Sequence, residues 1–183
     1  MTVPRALVDR YKPDVTEEVV IRPAREQDRD FVAQFVSSLL EFGSAAWRDS
    51  AALAPGFRNV LADAVSNQGP RAAVLIAQEQ GGERLGFVSV KVREDVTGAE
   101  RAHVADLAVG EDASGLGVGR ALMRAAEAWA REQGLPVVGL DVWSTNERAM
   151  AFYRRLGYRP ESLHLIKALD CSGASCLAAA CLL

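Results

Sequence analysis

Val104-Ala105-Asp106-Leu107-Ala108-Val109, followed by Ser114-Gly115-Leu116-Gly117-Val118-Gly119-Arg120, is the stretch from which the rest of this chain is read. Its first part has the apolar character of a largely buried strand, and its glycines open a helix that runs to Gln133-Gly134. Glycine lets a backbone come close to a ligand, and unbonded amides at a helix start attract anions such as pyrophosphate. Taken alone, alternating glycines also suit an ordinary flexible loop. The dinucleotide fingerprint Gly-x-Gly-x-x-Gly needs its third glycine where Arg120 or Leu122 stands, and it wants the glycines directly after the strand, whereas Gly110 to Ala113 intervene. Asp141, about twenty residues beyond the turn, is the one feature that favours a nicotinamide nucleotide. A P-loop is excluded, because no Gly-Lys-Ser/Thr follows the glycines.

Working outward, the helix after the turn carries Ala121, Leu122, Ala125, Ala126, Trp129 and Ala130 on one face, with Arg120, Arg124, Glu127, Arg131 and Glu132 elsewhere. Gly134 and Pro136 stop it, and Val137 to Trp143 reads as a mostly buried strand. Ser144-Thr145-Asn146 offers cap chemistry for a last helix, Glu147 to Leu156, which Gly157 ends.

These residues resemble the GNAT N-acetyltransferase family. The Gly117-x-Gly119 turn after Leu107-Ala108-Val109 is similar to the family's acetyl-CoA pyrophosphate loop. The run Asn146-x-x-Ala149-x-x-Phe152-Tyr153-x-x-x-Gly157-Tyr158 is similar to its second signature. The resemblance implies an α/β fold, with a central, mostly antiparallel mixed sheet flanked by helices. It implies an acetyl-CoA-dependent N-acetyltransferase, moving the acetyl group directly to a primary amine in a ternary complex. Cofactor contacts are implied at Leu107, Ala108, Val109, Ser114, Gly115, Gly117, Val118, Gly119, Arg120, Asn146, Ala149, Phe152 and Tyr153. One departure stands out. The family's loop usually begins with Arg or Gln where this chain has Ser114, a loss expected to weaken binding by about 1–2 kcal/mol, with Arg120 as the compensating cation.

An amine must be neutral to attack a thioester, and the leaving thiolate gains from a proton donor. The resemblance gives that donor role to Tyr153, which read alone is a core aromatic. His103 is the candidate base, an imidazole suited to proton removal through water, though a lone strand histidine is also often structural. Strand alternation puts Asp106 on the opposite face from His103, where it either positions a cationic substrate or is solvated. Glu94 and Asp95, at the end of the preceding strand, are either substrate contacts or surface charges. Phe42 and Trp47 lie in the loop that lines the acceptor site in the family, and wall either the pocket or the core. His164 reads as structural.

Composition agrees with one domain. The chain has 183 residues, 49% hydrophobic and 25% charged, with a net charge of −3, and it lacks the basic cluster that a nucleic-acid partner needs. The polar first eighteen residues carry no signal-peptide core and no apolar run reaches spanning length, so the expectation is a cytoplasmic protein with no membrane partner. The plan is an N-terminal extension (1–18), one acetyltransferase domain (19–169) and an apolar tail (170–183). Cys171, Cys176 and Cys181 all fall in that tail, at a spacing that matches no common zinc pattern, and no metal site is expected.

Upstream, Glu18 to Pro23 suggests a first strand, Asp28 to Glu41 a helix, Phe42 to Gly56 a loop and Phe57 to Ser66 a second helix. Ala72 to Gln78 and Leu85 to Arg93 form a hairpin, and Leu163 to Leu169 a final strand. The expected partner is a small-molecule or peptide amine, the acidic composition favours a cationic one, and a homodimer is left open. A non-catalytic acetyl-CoA-binding regulator is the alternative.

Overall fold

A computed structural model describes residues 19–41, 50–95 and 97–167. In chain order it contains β1 (Val19–Pro23), a 3-10 turn (Glu26–Asp28), α1 (Arg29–Ala33), α2 (Val36–Glu41), α3 (Ser50–Ser66), β2 (Ala72–Glu79) and β3 (Arg84–Glu94). It continues with β4 (Glu100–Val109), a 3-10 turn (Glu111–Ala113), α4 (Val118–Glu132), β5 (Val138–Leu140) and α5 (Glu147–Arg155). Among the described residues the strands form one five-stranded sheet ordered β1-β2-β3-β4-β5. It is antiparallel except for the β4/β5 pair, the mixed α/β plan that the resemblance implies.

Alternation along β3 builds two cores. Val88 and Val90, with Ala102 and Val104 of β4, are buried against Val118, Leu122, Met123 and Ala126 of α4. On the other face Phe87 and Ala108 pack with Phe31, Val32 and Phe35 and with Leu61 and Val65 of α3. The sheet is therefore covered on both sides, and β3, its central strand, and β4 both contribute to both cores.

Asp28, fully buried, ties the first layer together. Arg22 grips it with two guanidinium N–H groups at 2.7 and 3.1 Å, the Arg25 amide donates at 2.8 Å, and Arg84 at the head of β3 reaches it at 3.3 Å. Burial by itself would raise the carboxyl pKa, but these donors together bring it down to about 2.

Four expectations need correction. The helix over 28–41 is broken, because the Phe35 amide bonds back to Val32 O at 3.3 Å, a tighter i→i−3 step that separates α1 from α2. The second helix starts at Ser50 rather than Phe57. Ala52, Leu53 and Ala54 are good helix formers, and they carry the helix through Pro55 at the cost of the one backbone bond the ring cannot make. The strand over 137–143 keeps only Val138–Leu140, with Val142 and Trp143 largely exposed, since its pairing with β4 stops at Val104↔Leu140. No strand forms over residues 163–167, where Leu163 and Leu165 are 77% and 82% exposed and His164 is exposed as well. The short β5 offers that segment little edge to pair with. The N-terminal extension, the loop with Phe42 and Trp47, and the cysteine tail lie outside the described residues. Among the described residues, no helix is long and apolar enough to cross a membrane, and no group of three or more metal-ligating side chains occurs.

Candidate active site

The glycine turn leaves β4 through Gly110, whose amide donates to Leu85 O at 2.8 Å. Gly115 and Gly117 then take φ of +83° and +87°, a region that residues with a Cβ rarely adopt. The first intrahelical bond of α4 is Ala121 N–H to Gly117 O at 3.0 Å. Ahead of it, the amides of Gly117, Val118, Gly119 and Arg120 have no backbone acceptor among the described residues, and Gly117 supplies no side-chain cap. Four convergent N–H donors at the positive end of a 15-residue helix form a cradle for a phosphate oxygen. That donor set fits the diphosphate of acetyl-CoA.

The second signature has a local structural account. Asn146 caps α5, its Oδ1 accepting from Ala149 N at 2.9 Å. At the other end Gly157 takes φ +94°, its amide donates to Arg154 O, and Tyr158 N donates to Tyr153 O, each at 3.0 Å. This is a Schellman ending, with the Tyr158 ring packed edge-on against Tyr153 at 5.9 Å. So the Asn, Ala, Gly and second Tyr of the signature hold a short helix that presents Phe152 and Tyr153. Phe152 closes onto the glycine turn: a Cβ at Gly119 would stand 3.4 Å from Phe152 Cζ and 3.7 Å from Val109 Cγ2. Tyr153 lies edge-on beside Phe152, with ring centres 5.2 Å apart. Its hydroxyl has no hydrogen-bond partner among the described residues and is open to solvent. Burial of the ring raises the phenol pKa to about 12, so it stays protonated at neutral pH.

Arg148, one turn before Phe152, reaches back from α5 and donates from Nη2 to Ser114 Oγ. Sequence reading missed this residue and assigned compensation to Arg120. The only available signal is its place two residues after the Asn146 cap.

The most consequential feature of β4 is a bulge. Ser89 pairs with Asp106 but Val90 pairs with Val104, which leaves Ala105 without a partner. An extra residue resets the alternation. His103, opposite Lys91, and Asp106, opposite Ser89, therefore lie on the same face, and the alternation argument that separated them is corrected. That face is the α1–α3 side, because Phe87 and Ala108, opposite each other and next along the face beyond Asp106, belong to its core. Ser89 Oγ donates to Asp106 Oδ2 at 2.7 Å. Burial raises the Asp106 pKa, partly opposed by that hydrogen bond and by Lys91. His103 is 7% exposed, with Nε2 3.7 Å from Asp141 Oδ2. Burial and then the Arg93 charge lower its pKa to about 4, Asp141 opposing and Lys91 and Arg101 adding to the effect, so the ring is neutral at pH 7.

The bulge also begins where the β4/β5 pairing ends, so the sheet opens between those strands beside Ala105. Leu107 and Val109 point to the α4 side of that opening and Ala108 to the other. Glu94 is not part of this cluster. It pairs with Glu100 at the far end of β3, three residues past Lys91, about 10 Å along the strand. A cavity of about 480 Å³ near Glu127, Arg131 and Tyr158 sits at the opposite end of α4 from the glycine turn.

Residues 34–158 match the acetyltransferase (GNAT) family. The chain is 38% identical over 87 residues to a mycothiol acetyltransferase of Propionibacterium freudenreichii, covering 48% of this chain and 28% of that protein. It is 37% identical over 90 residues to an aminoglycoside N(6')-acetyltransferase type 1 of Stenotrophomonas maltophilia, covering 47% and 59% respectively. The chain thus spans between about a quarter and three-fifths of these relatives' lengths. A GCN5-related N-acetyltransferase from Ralstonia eutropha has the same fold, with a TM-score of 0.65 at 24% identity, covering 82% of this chain and 98% of that one. With more than half of its length matched, and with both signatures holding the turn and the helix just described, this chain belongs to the GNAT acetyltransferase family.

Proposed function

We propose that the protein is an acetyl-CoA-dependent N-acetyltransferase acting on a small cationic amine. The observation that carries this reading is the set of four unbonded amides at Gly117–Arg120, closed over by Phe152 and next to the unpartnered hydroxyl of Tyr153. Leu107, Val109 and the turn line the donor side, and Asn146 and Ala149 act by fixing α5.

Acetyl-CoA supplies a thioester whose carbonyl carbon accepts the amine and whose sulfur leaves as a thiolate. The protein's part is positioning and proton transfer. Asp106, facing the acceptor side, in its carboxylate form holds the substrate ammonium and takes one of its protons, leaving a neutral nucleophile. His103, uncharged at pH 7, sits beside it without repelling the cation and offers the second route for the proton. Tyr153 donates its hydroxyl proton toward the departing sulfur, its high pKa keeping that proton in place until then. A small cationic amine is the class in which relatives named for aminoglycosides and streptothricin also fall.

Calorimetric titration with acetyl-CoA, with NADH as the control, tests the reading first, followed by thiol release with a panel of aminoglycosides, polyamines and amino acids. Micromolar binding of acetyl-CoA alone with turnover of an amine is the expected result. Binding with no turnover on any amine would favour a non-catalytic regulator, and no binding would remove the proposal.

A further inference from the structure

We infer that Arg148 is the phosphate-binding cation of the donor site, delivered from α5 to the place that Ser114 leaves without one. This rests on the acetyl-CoA reading above and adds a residue outside both signatures' invariant positions.

A guanidinium carries five N–H donors and a permanent charge. Arg148 spends one donor on Ser114 Oγ, and among the described residues it has no carboxylate partner. It is held at the mouth of a turn whose Gly117–Arg120 amides also lack acceptors.

Ser114 and Arg148 are 34 residues apart in sequence, and their contact joins the turn to α5. The helix is short but tightly specified: the Asn146 cap fixes its first turn, and the Schellman ending at Gly157 fixes its last. The arginine therefore sits on a defined support rather than on a loose loop. Ser114 acts as its tether, a small acceptor that orients the guanidinium and leaves four donors for a phosphate. An arginine at position 114 itself would compete for that space, so the Ser114/Arg148 pair works as an exchange of cation position between two elements. Arg120 is a weaker candidate for the role. It is exposed on α4, where the neighbouring Val118 and Leu122 face the core, and no side-chain hydrogen bond ties it to the turn among the described residues.

The test compares acetyl-CoA with acetyl-pantetheine, a donor that has the thioester but no diphosphate. Arg148→Gln should weaken acetyl-CoA binding roughly ten-fold or more, as expected for loss of a charge-assisted contact. It should leave kcat/KM for acetyl-pantetheine unchanged, and the loss should shrink at high salt. Arg148→Lys should recover part of the affinity. The double variant Ser114→Arg/Arg148→Gln should recover most of it by restoring a guanidinium from the other side. Wild-type binding by Arg148→Gln, or an equal loss on both donors, would overturn the inference while leaving the acetyl-CoA reading intact. Failure of the wild-type protein to bind acetyl-CoA would overturn both. Unchanged thermal unfolding of Arg148→Gln, expected for an exposed side chain, makes the affinity loss attributable to the missing charge.

Discussion

His103 and Asp106 lie three residues apart on β4 yet share one face of the sheet, because Ala105 is bulged out of register with β3. The two groups therefore look into the same space, and the environment of each predicts a different titration. Burial raises Asp106 above the ordinary carboxylate range, whereas burial and the cation at Arg93 hold His103 at about 4.

Asp106→Asn should lower kcat/KM by roughly 10²-fold or more if it receives the ammonium proton. Since the carboxylate is the working form and its pKa is raised, wild-type activity should fall as pH drops through that raised value, and the fall should be absent in Asp106→Asn. His103→Gln should keep the acid limb, because a ring that titrates near 4 does not change charge between pH 5 and 8. Steady-state rates of the two variants and the wild type as pH is lowered separate the two residues.

Tyr153→Phe should lower kcat by roughly 10²-fold with little change in acetyl-CoA affinity, the pattern of a group that acts only in the transition state. With the phenol raised to about 12, the wild-type rate should show no loss from tyrosine ionisation up to about pH 10. Kinetics of the variant paired with calorimetry decides this, and an unaltered kcat would take Tyr153 out of the mechanism.

Asp28 predicts a stability effect separate from catalysis. Its folded-state pKa of about 2 lies below the ordinary 3.8, so its contribution is present above that ordinary value and disappears as pH falls through about 2. The shift corresponds to about 2 kcal/mol at neutral pH. Asp28→Asn should lose at least that much in urea unfolding, because Arg22 is left part-buried without its anion. A variant as stable as wild type would show that the Arg22 and Arg84 contacts contribute nothing net.

Gly86→Ala tests the closeness of β3 and β4. A Cβ there would fall 2.4 Å from Ala108 O and 3.0 Å from the Val109 Cα, both backbone atoms that cannot swing aside. A loss of about 2 kcal/mol or more is expected, together with weaker acetyl-CoA binding as the strand feeding the glycine turn shifts. Urea unfolding alongside calorimetry measures both.

The local backbone geometry of the candidate site was legible because its residues are neighbours in the chain. The glycine turn, the Asn146 cap and the Gly157 stop are local backbone devices, and each took the conformation its residue type demands. The period of α4 likewise foretold the buried stripe of Leu122, Ala126 and Ala130. Errors came where a local rule met a competing one. The stretch up to Gly56 read as loop, but the helix-forming residues before Pro55 carried α3 through it. Val142 and Trp143 read as strand, but a strand needs a ladder, and β4 turns away at its bulge.

Most of the element order, the glycine turn and the capped helix that carries Tyr153 thus follow from the chain alone, since short-range sterics and hydrogen bonding specify them. Tertiary structure decided the rest. A single unpaired residue, Ala105, set which side chains share a face of β4, and the docking of α5 brought Arg148 across 34 residues to Ser114. Neither is encoded in a local pattern: a bulge is a property of two strands in register, and a contact between distant side chains exists only once the elements that carry them have packed.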